Sequence, residues 1–483
     1  MKTQGLIVSG TLPLASAIPS WLGFQTRQAA STITVDLTKT YQTMDGFGCS
    51  FAFQRANLIT NMSDKTKQRY LLDLLFNTTS GAGLSIVRNG IGSSPDSSSD
   101  HMNTFAPKNP GGPSATPQYS WDGKDSGQVF VSQEAYNTYG VRQIYGDAWS
   151  APGYMKTNNN ENNGGTLCGV TGASCSSGDW KQAFANYLVQ YVQYYADAGV
   201  PVTRLGFLNE PEFSPSYAGM NSNGQQAADF IKVLYATLQS ANLTDQVGIG
   251  CCESEGWGNQ VNMLNGIKSA GVEAMLAMVT SHTYTGGSNS PMDTKVPVWL
   301  SEQCDLNGGW TTAWYSSGGA GDGYTWANNI YNAVVSTQVS GYLYWEGVQW
   351  PSPNTNEKII KVDQQSPYNI EVSKRLWAFA NWSRYVRPGA IRLGTSGGSG
   401  VKSTAFKNAD GSLAVVVIST GTSASAVSIK VSGATTAPTA ATAWVTDTTH
   451  DCAQTNVTVA SDGTLSGSVA GRSITTFFIP AAV

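Results

Sequence analysis

Charge is what this sequence has least of. Asp, Glu, Lys and Arg supply only 12% of its 483 residues, and the formal net charge is −4; an average globular protein carries ~25% charged residues. The basic patch that a nucleic-acid binder needs is missing, so no nucleic-acid partner is expected. Histidine is scarcer still, with three residues at 101, 282 and 450. There is also no Cys-x-x-Cys pair and no His/Cys cluster, which argues against a zinc site; neither metal nor cofactor is expected. No uninterrupted apolar run approaches the ~18 residues that span a bilayer, so no membrane partner is expected. A shorter run, 6–14, follows Met1-Lys2 and ends in Ala15-Ser16-Ala17. That is the pattern of a secretory signal with a small-residue cleavage site, and Ala29-Ala30 offers a second cleavage position.

The expected protein is therefore secreted and extracellular. Five sequons, at Asn61, Asn77, Asn242, Asn381 and Asn456, are glycosylation candidates that fit that compartment. Of the seven cysteines, Cys168 and Cys175 share a Gly/Ser/Thr-rich loop and form the expected disulfide. The pairing of Cys49, Cys251, Cys252, Cys304 and Cys452 stays open. With so little charge, Ser, Thr, Asn, Gln and Gly must cover the surface. Apolar residues make up 41%, enough for a large core, and the aromatic 10% includes 14 Trp. Most of these Trp should be core, and the remainder are flat faces on which sugar rings can stack.

The chain exceeds the ~100–200 residues of one domain, and its pattern of elements says how it divides. Residues 31–37 alternate polar and apolar as a half-buried strand does. A Gly-broken strand at 44–51 precedes a helix opened by Ser63 and carrying Tyr70, Leu71, Leu74 and Leu75. Strand 84–88 and a long Ser/Pro/Asn loop to about 120 follow. Strand 141–147 leads to a helix capped by Asp179 and closed by Gly199, with Phe184, Tyr187, Leu188, Tyr191, Val192 and Tyr195 on its apolar face. Strands at 202–208, 246–253, 275–284, 297–303 and 341–346 continue the alternation with helices, among them 227–240, 324–337 and 371–384. Strand and helix alternate eight times, so residues 45–388 are predicted to form an α/β fold, a closed (β/α)8 TIM barrel. Over 389–483 short apolar runs (413–418, 426–431, 441–446, 474–479) are separated by Gly, Ser, Thr and Asp turns, the pattern of an antiparallel β-sandwich. No Ser/Thr/Pro-rich linker precedes it, so it is expected as a fused side domain. Residues 31–44 are expected to join it, and 1–30 to be the leader.

Two predicted barrel strands end on a carboxylate. Glu210, in Phe207-Leu208-Asn209-Glu210-Pro211, ends strand four. Glu302, in Trp299-Leu300-Ser301-Glu302, ends strand seven. An unpaired buried charge is costly, and the C-terminal end of a barrel strand is where catalytic residues sit. Paired carboxylates are the equipment of a glycosidase: one acid protonates the leaving oxygen, and the other attacks or activates water. Glu210 is the predicted acid/base, Glu302 the nucleophile, and Asn209 a partner for the sugar 2-hydroxyl. Glu212, Glu253, Glu255 and Glu346 are rival acids; Glu346 is the strongest and is expected at the rim. Asp147 is expected to be structural. Trp149, Tyr284 and Trp345 fall at the ends of strands three, six and eight, where they can face the sugar, and Tyr284 can also reach Glu302. His282 is expected to be a satisfied hydrogen-bond partner, not a proton carrier.

Together with Asp45-Gly46-Phe47-Gly48 and Trp382-Ser383-Arg384-Tyr385-Val386-Arg387-Pro388-Gly389-Ala390, these motifs resemble glycoside hydrolase family 30, most closely its fungal xylanase subfamily. The resemblance covers nearly all of the chain after the leader. It implies a barrel with a fused β-sandwich, a retaining mechanism through Glu210 and Glu302, β-1,4-xylan polysaccharide or oligosaccharide as substrate, and no cofactor; a secreted glycosidase of this size needs no partner, so a monomer is expected. It implies that Arg55, in the loop after strand one, binds the carboxylate of a 4-O-methylglucuronic acid branch, for which a guanidinium fork is suited. It also offers Asn103, in the loop after strand two, as a block on the non-reducing side that would favour xylobiose release. The alternatives within the family are β-1,6-glucanase, reducing-end exo-xylanase and glucosylceramidase. A different class is a non-catalytic carbohydrate-binding protein on the same scaffold, against which the intact glutamate pair argues.

Overall fold

The computed structural model describes residues 31–96 and 102–481; the expected leader and His101 lie outside the described residues. Eight parallel strands close on themselves. In order they are Gly46–Ser50, Ile86–Ile91, Gln143–Ala148, Arg204–Gly206, Gly248–Ser254, Leu276–His282, Val298–Glu302 and Gly341–Gln349, and the last pairs with both the first and the seventh. They are barrel strands one to eight. Their residues are buried almost throughout, as expected for strands with side chains inside and helices outside. Ile86, Tyr145, Met278, Trp299 and Leu343 pack together as a buried cluster contributed by five of these strands. Close approach sets the small residues: a Cβ on Gly48 would meet the Ile86 carbonyl oxygen at 2.3 Å.

The helix Lys181–Asp197 buries Phe184, Tyr187, Leu188, Tyr191, Val192 and Tyr195, the face that the 3.6-residue period predicts. Asp179 accepts its first amide, from Lys181 at 3.0 Å, and Gly199 follows with φ 77°. The helix Gly224–Ser240 opens with a capping box between Asn223 and Gln226. Several predicted details differ. The helix Lys65–Phe76 is capped by Asp64, whose carboxylate accepts from the Thr66 and Lys67 amides, not by Ser63; the Ser63 hydroxyl instead lies 3.2 Å from Tyr368 Oη. Tyr70 is 51% exposed, outside the buried stripe of Leu71, Leu74 and Leu75. Strand four is paired only over Arg204–Gly206, because the chain leaves the ladder early to place Asn209 and Glu210. The connection from strand six to strand seven has no helix; its Gly286, Gly287 and Pro291 are helix breakers. Trp345 lies within strand eight, which runs on to Gln349. Beyond it Lys358–Val362 and Ile370–Val372 extend the sheet outside the barrel, so the last barrel helix starts at Lys374.

The side domain is a ten-stranded sheet that includes Ser31–Thr43. This strand pairs antiparallel with Ile391–Gly397 and parallel with Ser425–Ser432, so the sandwich is not wholly antiparallel: a strand arriving from the start of the chain is inserted between two others. Strand Leu413–Ser419 is buried on both faces. Leu413, Val415 and Val417 face the sandwich core, while Ala414, Val416 and Ile418 belong to the barrel's core. Asn381 lies in that seam with no exposure. Its amide donates to the Trp444 carbonyl at 2.9 Å, and its oxygen accepts from Thr446 Oγ1 at 2.5 Å. A side chain so enclosed cannot carry a glycan in the folded protein, which corrects its place among the sequons. Asn61, Asn242 and Asn456 are exposed and Asn77 is half-buried. Cys168 is bonded to Cys175 and Cys251 to Cys252; Cys49, Cys304 and Cys452 are free and buried.

Candidate active site

Glu210 and Glu302 meet at the C-terminal mouth of the barrel. One oxygen of each lies within 4.8 Å of the other and of a His282 ring nitrogen. Their surroundings differ, which separates two otherwise equal acids. Glu302 Oε2 accepts from Arg88 Nη1 at 2.5 Å, and its Oε1 accepts from the Tyr284 hydroxyl at 3.0 Å. Burial lifts its carboxyl above the ordinary value, while the His282 and Arg88 charges pull it back. Two strong donors at the carboxylate favour its ionised form. Glu210 sits one residue past Asn209 with φ 46°. His282 Nδ1 lies 3.1 Å from its Oε1, and the Tyr217 hydroxyl is hydrogen-bonded to it.

Behind the pair lies a charged network. Arg88, from the middle of strand two, has no exposed surface. Its Nη2 donates to Asp147 at 2.9 Å and to Asn209 Oδ1 at 2.7 Å, and it lies 3.3 Å from Glu253. Its guanidinium stacks over the Trp149 ring at 4.4 Å. Asp147 is thus a holder of Arg88. Glu210, His282 and Glu302 are close enough together to suggest a metal site, but both His282 nitrogens face carboxylates, with Nε2 lying 2.8 Å from Glu253. Burial alone would lower the pKa of the ring; the Glu302 charge and the bonds to Glu210 and Glu253 outweigh it and push it up to about 10. A ring that keeps both protons donates at each nitrogen and offers no lone pair.

The cleft above has a volume of about 700 Å³, and Arg55, Trp149, Asn209, Glu210, Tyr284, Glu302 and Trp345 all line it. Phe53 and Tyr217, unmarked in the sequence, complete an aromatic box. Phe53 lies edge-on to Trp149, Tyr217 and Trp345 at 5.5, 5.6 and 5.9 Å. Asn103 does not line this cleft; it borders a separate polar pocket with Gln54, Lys65 and Lys124. Arg55 reaches the cleft already paired: Nε donates to Glu346 at 2.7 Å, Nη1 to the Phe53 carbonyl at 2.9 Å, and the guanidinium lies 4.1 Å from the Trp350 ring. Glu346 is accordingly a buried ion-pair partner. Glu212 holds the Glu255 amide at 2.7 Å and Asn259 at 2.9 Å. Glu255 lines the cleft, its carboxyl raised by burial and by the Glu210 charge.

Residues 30–287 match the model of O-glycosyl hydrolase family 30, and residues 389–477 match the glycosyl hydrolase family 30 beta-sandwich domain. An endo-1,6-beta-D-glucanase of Aspergillus fumigatus is 28% identical over 424 residues, 80% of this chain and 81% of that protein. Another, from Neurospora crassa, is 23% identical over 413 residues, 80% and 81% of the two chains. The solved catalytic domain of the GH30 xylanase C from Talaromyces cellulolyticus is 44% identical, with a TM-score of 0.85, and the match covers 93% of this chain and 100% of that one.

Proposed function

Because the chain belongs to glycoside hydrolase family 30, we propose that it hydrolyses β-1,4-xylan with retention of anomeric configuration. The observation that carries the mechanism is the carboxylate pair, with oxygens of Glu210 and Glu302 within 4.8 Å of each other. Retaining glycosidases hold their two carboxyl groups ~5–5.5 Å apart, and inverting ones need ~6.5–9.5 Å to admit a water. Glu302, held by Arg88 and Tyr284, attacks the anomeric carbon. Glu210 protonates the departing glycosidic oxygen and the reducing-end fragment leaves. A water then attacks the same carbon, Glu210 takes its proton, and the Glu302 ester bond breaks. Asn209, fixed by Arg88, faces the sugar beside the reacting carbon.

Xylan is favoured by the 44% identity to a xylanase across 93% of the chain. The aromatic box of Phe53, Trp149, Tyr217 and Trp345 suits the flat faces of a sugar chain. The sequence relatives at 28% and 23% favour β-1,6-glucan instead, and this is the second reading. The leader pattern and the exposed sequons at Asn61, Asn242 and Asn456 support action outside the cell. The test is a parallel digest of linear xylan, glucuronoxylan and β-1,6-glucan with the wild type, Glu210→Gln and Glu302→Gln. Xylo-oligosaccharides are expected from wild type, none from Glu302→Gln, and a rate lowered by about 10²–10⁴ in Glu210→Gln. Release from β-1,6-glucan alone would overturn the substrate, and an active Glu302→Gln would overturn the nucleophile.

A further inference from the structure

The carboxylate on which most barrel strands converge is neither Glu210 nor Glu302. Glu253, on strand five, adopts the left-handed region with φ 57° and is 1% exposed, so it cannot touch a sugar. Its Oε1 accepts the Tyr145 hydroxyl of strand three at 2.7 Å. Its Oε2 accepts the Ser301 hydroxyl of strand seven at 2.5 Å, and faces His282 Nε2 of strand six at 2.8 Å and Arg88 Nη2 of strand two at 3.3 Å. The backbone is pinned as well: its amide donates to Thr280 Oγ1 at 3.1 Å, and the Gln260 side-chain oxygen accepts from the amides of Cys252 and Ser254 on either side. A non-glycine residue in this conformation persists only where its surroundings over-determine it, and such residues cluster at functional sites.

Glu253 holds Glu210 by two routes. Its carbonyl oxygen accepts the Glu210 amide at 2.8 Å, and its carboxylate reaches Glu210 Oε1 through the His282 ring. We propose that Glu253 is a positioning residue: it keeps His282 doubly protonated, so that His282 holds Oε1 of the acid/base and leaves Oε2 to carry the transferable proton. This rests on the assignment of Glu210 as acid/base. A carboxylate facing Nε2 calls for an N–H there, and the Glu210 oxygen facing Nδ1 calls for the second. Burial would raise the Glu253 carboxyl, but the Arg88 charge and the bond from His282 outweigh it and hold it at about 2. The other charged groups facing this pair are Arg88, Asp147, Glu210, Glu255 and Glu302; Tyr145 contributes a neutral hydroxyl and Tyr284 its ring edge.

Without the Glu253 charge, His282 loses its second proton more readily. The positive charge next to Glu210, which is also 3.7 Å from Glu302, is then weakened at the upper end of the working range, supported only by the Glu302 charge and the Glu210 bond. A weaker positive charge beside the carboxylate pair moves both limbs of the bell-shaped activity profile up together. The experiment is the pH profile of kcat and kcat/KM for wild type, Glu253→Gln and Tyr145→Phe, the last removing a neutral donor from the same carboxylate. In Glu253→Gln both limbs are expected to move up by about one pH unit, with kcat down about 10–100-fold, part of the ~10²–10⁴ that acid/base catalysis supplies, and KM within about twofold. Tyr145→Phe should leave the limbs in place. Unmoved limbs in Glu253→Gln, or a His282 ring found neutral at pH 8 by nitrogen NMR of the wild type, would overturn the proposal. If Glu253→Gln shows no cooperative unfolding transition, His282→Gln is the second variant, with the same upward shift expected and unmoved limbs again decisive against it. The profiles are recorded on whichever β-glycan the wild type cleaves. A wrong substrate then shows as no release from xylan, and a wrong role for Glu253 as unmoved limbs.

Discussion

Arg88 reaches Glu302, Asp147, Asn209 and Glu253 from a fully buried position. Removing one member of a buried charge cluster leaves the others uncompensated, which typically costs ~3–5 kcal/mol. Arg88→Met is therefore expected to lose about that much stability in a guanidinium titration as well as activity; a loss under ~1 kcal/mol would show that the cluster is compensated elsewhere. Arg55 presents the opposite case, a cleft residue whose Nε already donates to Glu346, a carboxyl that burial pushes up to about 8. A glucuronate branch would have to compete with that bond, so Arg55→Ala is expected to slow hydrolysis of branched and linear xylan alike. A loss confined to glucuronoxylan would make Arg55 the carboxylate anchor. These residues differ in how well the sequence announces them. Glu210 and Glu302 each end an apolar run, where a carboxylate is out of place. Arg88 follows Ile86-Val87 and precedes Asn89, which reads as a strand reaching solvent; nothing local marks it, because its partner Glu302 is 214 residues away. Glu253 stands out as a rival acid at a strand end, but its role is hidden, since the His282 that gives it meaning lies on the next strand.

Elements with their own periodicity were legible, and those made by tertiary pairing were not. The helix Lys181–Asp197 carries its buried face in its spacing. The strands Lys358–Val362 and Ile370–Val372 exist because strand eight offers an open ladder beyond the barrel, which short runs of Ile and Val do not disclose. Asn381 shows the same limit: its sequon reads as a surface signal, yet the last barrel helix turns it into the seam with the sandwich. Asn381→Ala would remove the amide bond to the Trp444 carbonyl and the acceptor of the Thr446 hydroxyl, which keeps the Cys452 amide at 2.9 Å, for an expected loss of ~1–3 kcal/mol, read as a shift in the denaturation midpoint. Mass spectrometry of protein from a glycosylating host should find Asn381 unmodified.

At the scale of the whole molecule, the barrel and the sandwich share strand Leu413–Ser419, and Ser31–Thr43 ties the start of the described chain into the side domain. The charged network makes stability depend on pH in a definite direction. His282 is raised to about 10 from 6.5, so its contribution is complete below pH 6.5 and is lost as the pH climbs through 10. Glu253 is lowered to about 2 from 4.5, so its contribution is complete above pH 4.5 and is lost as the pH falls through 2. The stability gap between wild type and His282→Gln should therefore shrink between pH 6.5 and 10; a constant gap would mean that the ring is neutral in the fold. The central claim is retention through Glu210 and Glu302, and proton NMR of the first product reads it directly. In the opening minutes of xylan digestion, before mutarotation, the new reducing ends should appear as the β-anomer. The α-anomer appearing first would mean inversion and would contradict the assignment of Glu302 as nucleophile.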